Sequence, residues 1–207
     1  MGNGFGRRFE RHGERKDLDF AIEKTLEAVT TSPLKSADRA GFLNNLGNRY
    51  QCRFDWFGNL RDLDSAIKHR IEAVATIPPN HPGRPTIFDG LGVSYRLRFQ
   101  RFGAIMYIDS AIEQQLKPAA SVPLKSVDRP RIFMNLGNSY QCRLTRFEWF
   151  GNTQDLEYAI KHLLEGVTSI LLDDPLRPTI LDSLGVSYLQ RFTLIYLLIV
   201  HSPGCSG

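Results

Sequence analysis

The sequence predicts an all-α fold, an α-α superhelix of about eight antiparallel helices, on three observations. Leu-Gly recurs at Leu46-Gly47, Leu91-Gly92, Leu136-Gly137 and Leu184-Gly185, and a tyrosine follows each glycine by three residues, at Tyr50, Tyr95, Tyr140 and Tyr188. Ala-Ile recurs independently at Ala21-Ile22, Ala66-Ile67, Ala111-Ile112 and Ala159-Ile160. Both markers keep spacings of 45, 45 and 48 residues, and self-similarity at such a period marks stacked supersecondary units. Apolar residues around the markers follow helical spacing, and no segment sustains the alternation of a strand. The 207 residues are 42% hydrophobic and 23% charged, which supplies a core and excludes a mainly disordered chain.

The first element is a partial repeat, residues 1–36, in which Ala21, Ala28 and Pro33 mark a second helix and its stop. Full repeats follow at about 37–81, 82–126 and 127–174, and a partial repeat at 175–192. Each full repeat reads as two helices. In the second helix of the 37–81 repeat, Leu63, Ala66, Ile67, Ile71 and Val74 form an apolar stripe. Asp62 or Asn59 can cap its start, and Pro78 stops it. The first helix opens with proline in its first turn at Pro85, Pro130 and Pro178, where a missing N–H does no harm. Leu43, Leu46, Tyr50 and Phe54 mark its buried stripe. A mid-helix glycine costs roughly 1 kcal/mol against alanine, so the recurrence of Gly47 predicts two helices approaching closely there.

Departures from the period carry their own expectations. Pro118 lies inside a second helix, where a lost hydrogen bond and a ring clash predict a kink or an early end near Leu116. Gly166 and Leu171 replace the alanine and proline of the last complete repeat, and three additional residues fall near Leu144 to Arg146. Residues 32–53 match 122–143 at most positions, and Arg84-Pro85-Thr86-Ile87 reappears as Arg177-Pro178-Thr179-Ile180, so a two-repeat block has been duplicated. Phe9 to Gly13 aligns with Phe54 to Gly58, and after Phe192 a hydrophobic tail, 193–207, replaces the polar loop. Both ends therefore read as cut, and a fragment that self-associates through uncapped repeat ends is one expectation.

Leu43-x2-Leu46-Gly47-x2-Tyr50, followed by Ala66-x6-Ala73-x4-Pro78, resembles the tetratricopeptide repeat. The usual period is about 34 residues. The longer form seen here, with Phe57-Gly58-Asn59 and Asp62-Leu63 between the helices, is similar to extended arrays of fungal multidomain proteins, which often precede a CHAT-type protease domain. The resemblance implies binding through a concave face lined by first helices. Carried over position by position, it places Asn44, Asn48 and Gln51 on that face, then Asp89 and Arg96, then Arg131, Asn138 and Gln141. Gly41, Thr86, Val93, Met134, Thr179, Asp182, Val186 and Leu189 fill the remaining equivalent positions. Asn48 and Asn138 resemble the asparagine that clamps a peptide carboxylate in chaperone-binding members, with an amide donor matched to a carboxylate oxygen.

Other chemistries find little support. There is no G-x-S-x-G elbow, H-E-x-x-H pair or Walker loop, so neither an enzyme nor a cofactor is expected. Cys52 and Cys142 stand two repeats apart without histidines at ligand spacing, and they read as half-buried thiols instead of metal ligands. His69 and His162 read as a solvated helix face, and His12, His81 and His201 have no recurring partner. Arg49-Tyr50, Arg53-Phe54 and Arg98-Phe99 interleave charge with aromatics, but the aromatics keep the spacing of the buried stripe, so solvated arginines over an aromatic core are expected. A net charge of +4 is weak for nucleic acid. The longest apolar run, Leu194 to Val200, is far below the ~20 residues of a membrane span, and the sparse cysteines fit a reducing cytoplasmic compartment. The expected function is non-catalytic binding of a peptide or partner protein. The alternative is a regulatory or sensing fragment of a larger fungal signalling protein with a CHAT protease or NTPase domain elsewhere.

Overall fold

A computed structural model describes residues 15–146 and 153–200, the side chains of 146 and 197–200 aside. Among the described residues there are eight helices and no strand: α1 Arg15–Thr31, α2 Ala37–Phe57, α3 Leu60–Thr76, α4 Arg84–Phe102, α5 Ile105–Ser121, α6 Arg129–Arg146, α7 Thr153–Thr168 and α8 Arg177–Val200. They fall into two compact halves, residues 1–102 with α1–α4 and residues 103–207 with α5–α8. Phe9 to Gly13, with His12, and His201 lie outside the described residues, as does the connection 147–152 between α6 and α7.

Short signals set the helix ends. Ser36 caps α2 by accepting the Arg39 N–H at 3.0 Å. The helix stops at Gly58, whose φ of 67° is costly for a residue with a Cβ and whose N–H donates to the Phe54 carbonyl at 2.7 Å. Asn59 then caps α3 by accepting the Arg61 N–H at 3.1 Å, and Ile77 closes it onto the Ala73 carbonyl at 2.9 Å, just before Pro78. The prolines at 85, 130 and 178 sit in the first turns of α4, α6 and α8.

In the N-terminal half, Leu18, Ile22 and Val29 of α1 pack with Ala40, Leu43 and Leu46 of α2, and Ala73, Ile77 and Ile87 join the cluster. Leu63 and Ile67 pack with Leu91 in a second cluster. In the C-terminal half, Leu156, Ile160 and Leu163 pack with Ile180 and Leu184, and Val122 packs with Ile132 and Phe133. These clusters hold successive helices together through apolar burial.

Three expectations are corrected. The early end at Pro118 does not occur. α5 runs to Ser121, because the proline is buried close to the C-terminus and its own carbonyl still accepts the Val122 N–H at 2.8 Å. Ile71 does not belong to the buried stripe of α3; it is exposed, and the neighbouring Arg70 is buried in its place. The arginines of the Arg-aromatic pairs are not merely solvated. Arg53 and Arg98 belong to the second of two recurring arginine clips.

The first clip sits at the start of each first helix. Arg39, Arg84, Arg129 and Arg177 are repeat equivalents, and each guanidinium reaches back to carbonyls at the end of the preceding helix: Val29, Ile77 at 2.7 Å, Val122 at 3.1 Å, and Val167 at 3.1 Å. A cation at helix C-terminal carbonyls is favoured by hydrogen bonding and by the helix dipole. Arg39 and Arg129 also reach forward to Glu72 and Glu165, each at 2.9 Å. The second clip sits near the end of each first helix. Arg53 pairs with Asp19, Arg98 with Asp64, Arg143 with Asp109 and Arg191 with Glu157. Arg53 additionally grips Asp62 with two nitrogens, at 2.6 and 3.0 Å, and Arg143 grips Asp155 in the same way, at 2.6 and 2.8 Å. Each of these two arginines thus ties three successive helices.

Candidate functional site

The Leu-Gly glycine makes room for one side chain of the helix that follows. A Cβ on Gly47 would lie 2.7 Å from Cγ of Arg70, and a Cβ on Gly137 would lie 2.7 Å from Cγ of Leu163. The close approach inferred from the recurring glycine is therefore real at Gly47 and Gly137, and at Gly137 it includes the Ala159 carbonyl at 3.2 Å. Arg70 and Leu163 are repeat equivalents, with Thr25 and Gln115 at the same place in the other repeats. The sequence reading missed Arg70, although a lone cation inside an otherwise apolar helical stripe was a visible signal.

Arg70 is 2% exposed. Its guanidinium donates from Nη1 to Oε1 of Gln51 at 2.7 Å and to Oγ of Ser94, and from Nη2 to Oδ1 of Asn48 at 2.6 Å. Burial lowers its pKa to about 10, against the opposing pull of the Asp89 and Asp55 carboxylates. Asp89 is fully buried. A Cβ on Gly90 would lie 3.2 Å from Arg70 Nε and 3.4 Å from Asn44 Oδ1, so α4 also passes close to this junction. Four of the predicted face residues, Asn44, Asn48, Gln51 and Asp89, are thus gathered around one buried cation.

The rest of the predicted face is arranged differently. Arg96 is half-buried on α4. Arg131 pairs with Asp128 at 2.8 Å, one turn back. Gln141 donates to the Ser183 carbonyl at 2.8 Å and to Oγ of Ser187 at 2.6 Å. Asn138 is half-buried, and its Oδ1 has no hydrogen-bond partner. Asn48 is the exposed one of the two asparagines. With Oδ1 committed to Arg70, its two N–H donors are the atoms left for an outside acceptor.

The histidines correct the solvated-face expectation. His69 stacks on Tyr50 with ring centroids 5.6 Å apart, and His162 stacks on Tyr140 at 5.7 Å. Both are half-buried, and both Nδ1 atoms are buried without a hydrogen-bond partner. Burial depresses both pKa values; for His162 burial and the neighbouring Lys161 bring it to about 4. Cys52 and Cys142 are half-buried thiols. Among the described residues, no group of three His, Cys, Asp or Glu side chains is placed to hold a metal ion. No described helix is long and apolar enough to cross a membrane.

Helix pairs, an interhelical glycine and apolar contacts between neighbouring helices define a TPR-like repeat fold. The chain is similar to the crystal structure of a Podosopora anserina kinesin light chain candidate with nearly identical TPR-like repeats, at 17% identity and a TM-score of 0.65, over 93% of this chain and 86% of that one. A point variant of that same Podosopora anserina protein gives 16% identity and a TM-score of 0.67, over 93% and 85%. No protein-family model matches the sequence, and no curated protein matches it as a relative. The likeness is one of fold.

Proposed function

We propose that the chain is a non-catalytic interaction module that binds a peptide or partner protein through the faces of its first helices, in a cytoplasmic setting. The observation that carries this reading is Asn48, an exposed amide held by a buried arginine so that its N–H donors remain for a ligand acceptor. Gln51, Arg96, Arg131, Asn138 and Gln141 line the equivalent turns, and peptide backbone or side-chain acceptors are what such a polar face recognises. We also propose the repeat boundaries 1–36, 37–81, 82–126, 127–174 and 175–192, with 193–207 as a separate tail; the helix pairs α2–α3 and α6–α7 support the second and fourth of these repeats.

The test is a peptide library panned against the purified chain, with hits measured by calorimetry. A bound peptide should lose about tenfold or more in affinity on Asn48→Ala, since a hydrogen bond to a charged group is worth roughly 1.5–3 kcal/mol. Peptides that bind equally well to the Asn48→Ala and Asn138→Ala variants would remove the face from consideration. Nucleic acid is not part of this reading, and its binding would show itself by a steep loss with salt.

A second reading makes the chain a regulatory segment of a larger fungal protein carrying a CHAT protease or NTPase domain. It is favoured by α8, whose Leu181, Tyr188, Leu189, Phe192, Ile195 and Tyr196 are exposed. Their equivalents on α6, such as Phe133 and Tyr140, are packed against α7. Sedimentation of the chain distinguishes the two: a monomer at all concentrations favours the stand-alone module, and association through α8 favours the segment.

A further inference from the structure

Ser32 breaks the rule that closes the other second helices. The equivalent positions hold Ile77, Val122 and Ile170. Ile77 and Val122 are buried, and their N–H groups finish their helices on the Ala73 and Pro118 carbonyls. Ser32 puts a hydroxyl where these residues bury a branched aliphatic chain, and the hydroxyl donates back to the Ala28 carbonyl. Packing gives no reason for it.

The neighbouring residues do give one. Ser32-Pro33-Leu34-Lys35 sets a proline directly after the hydroxyl and a lysine three residues after it. The duplicated loop keeps Pro123-Leu124-Lys125 but has Val122 in place of the serine, and Ser202-Pro203 has Cys205 in place of the lysine. Pro33, Leu34 and Lys35 are exposed. The last turn of α1 is also weakly held: Thr30 and Thr31 donate back to the Glu27 carbonyl, each at 2.9 Å, as Ser32 does to Ala28. Hydroxyl side chains that compete for the backbone in this way loosen a helix end, so the serine can open outward without disturbing the core.

We propose that Ser32 is a phosphorylation site for a proline-directed serine/threonine kinase, and that Arg39 receives the phosphate. In the transfer, Ser32 Oγ attacks the γ-phosphorus of Mg-ATP and forms the Oγ–P bond. The bond from that phosphorus to the bridging oxygen breaks, ADP leaves, and the hydroxyl proton passes to the kinase's base. Arg39 is already at hand, because its Nη1 and the Ser32 N–H both donate to the Val29 carbonyl. Its Nη2 donates to Glu72 at 2.9 Å. A phosphate carrying nearly two negative charges and three acceptor oxygens outcompetes one carboxylate for a guanidinium. Phosphorylation therefore transfers Arg39 from Glu72 to Ser32 and loosens the clip between α2 and α3.

The test treats the full chain with a proline-directed kinase and Mg-ATP, followed by intact mass and peptide mapping. One phosphate on Ser32, lost in Ser32→Ala and sharply reduced in Pro33→Ala, is the expected result. No incorporation, or labelling that survives Ser32→Ala, overturns the site. For the second part, phosphorus NMR follows the titration of the phosphate. Its pKa should lie lower in the folded chain than in a phosphorylated 27–40 peptide. Arg39→Gln should cancel that difference, and Glu72→Gln, which frees Arg39, should widen it. A titration indifferent to both variants overturns the role of Arg39.

Discussion

The two halves of the chain are built on one duplicated motif and solve the same junction in opposite ways. Gly47, Asn48, Gln51, His69 and Asp89 surround one junction; Gly137, Asn138, Gln141, His162 and Asp182 stand at the equivalent places in the other. In the first, Arg70 fills the space above the glycine, the amides converge on it, and Asp89 is fully buried. In the second, Leu163 fills the space and joins an apolar cluster. There Asp182 is exposed, and Gln141 turns to Ser183 and Ser187. The glycine specifies room, and the residue opposite it decides whether the junction is polar or apolar.

Exchanging those residues should break the comparison most severely. Arg70→Leu leaves Asp89 buried beside the amides without its cation, which should cost about 3–5 kcal/mol in chemical denaturation. Adding Asp89→Asn should recover part of that loss, and a double variant no better than the single one would show that Asp89 does not depend on Arg70. The reverse change, Leu163→Arg, should also destabilise, because no buried carboxylate awaits it. Next come the three-helix clips: Arg53→Ala and Arg143→Ala each strand a buried aspartate, Asp62 or Asp155. Each should cost roughly 2–3 kcal/mol, and the two costs should be similar if the clips are equivalent.

Smaller effects sharpen the picture. Gly137→Ala should be destabilising by about 1–2 kcal/mol, since its Cβ meets the Ala159 carbonyl at 3.2 Å as well as Leu163. Gly47→Ala should cost at least as much, because its Cβ meets Cγ, Nε and Cδ of an Arg70 pinned by hydrogen bonds to Gln51 and Asn48. Gly185→Ala faces open space and should stabilise α8 by roughly 1 kcal/mol through helix propensity. Thermal melts of the three variants give the order directly. The last effect is on pH. His162 has a folded pKa of about 4, below the unfolded value of roughly 6.5, so the unfolded chain binds the extra proton. Stability from this group is present above that unfolded value and is lost as pH falls from there toward 4. NMR titration should find His162 protonating at lower pH than His69, and His162→Phe should flatten the acid limb of the melting curve.

Much of the fold was legible because spacing survives duplication. The 45-residue period, the proline-opened first helices and the Leu43, Leu46 stripe all correspond to packed helices. Pro118 misled because a proline near a helix end forfeits only one bond, and the turn beyond it still closes. The site was less legible for a geometric reason. Ile71 and Arg70 are adjacent, so one residue of helical phase decides which of them is buried, and periodicity favoured the apolar one. The arginine clips were hidden because their partners lie one helix back and their aromatic neighbours suggested a different role. Arg53 and Asp19 share no motif; only the recurrence of the same pairing at Arg98, Arg143 and Arg191 reveals it.

Those clips bear on how the chain folds. A first helix is fastened to its predecessor twice over, by apolar clusters such as Leu18, Ile22 and Val29 on Ala40, Leu43 and Leu46, and by an arginine near each of its ends. In a linear array, stability divides into an intrinsic part for each repeat and an interface part between neighbours. Here ionic strength acts mainly on the interface part, beginning with the more exposed pairs such as Arg191 with Glu157. Raising salt should therefore weaken these joints only by their ionic share, lowering the melting temperature modestly while the apolar clusters keep neighbouring helices together.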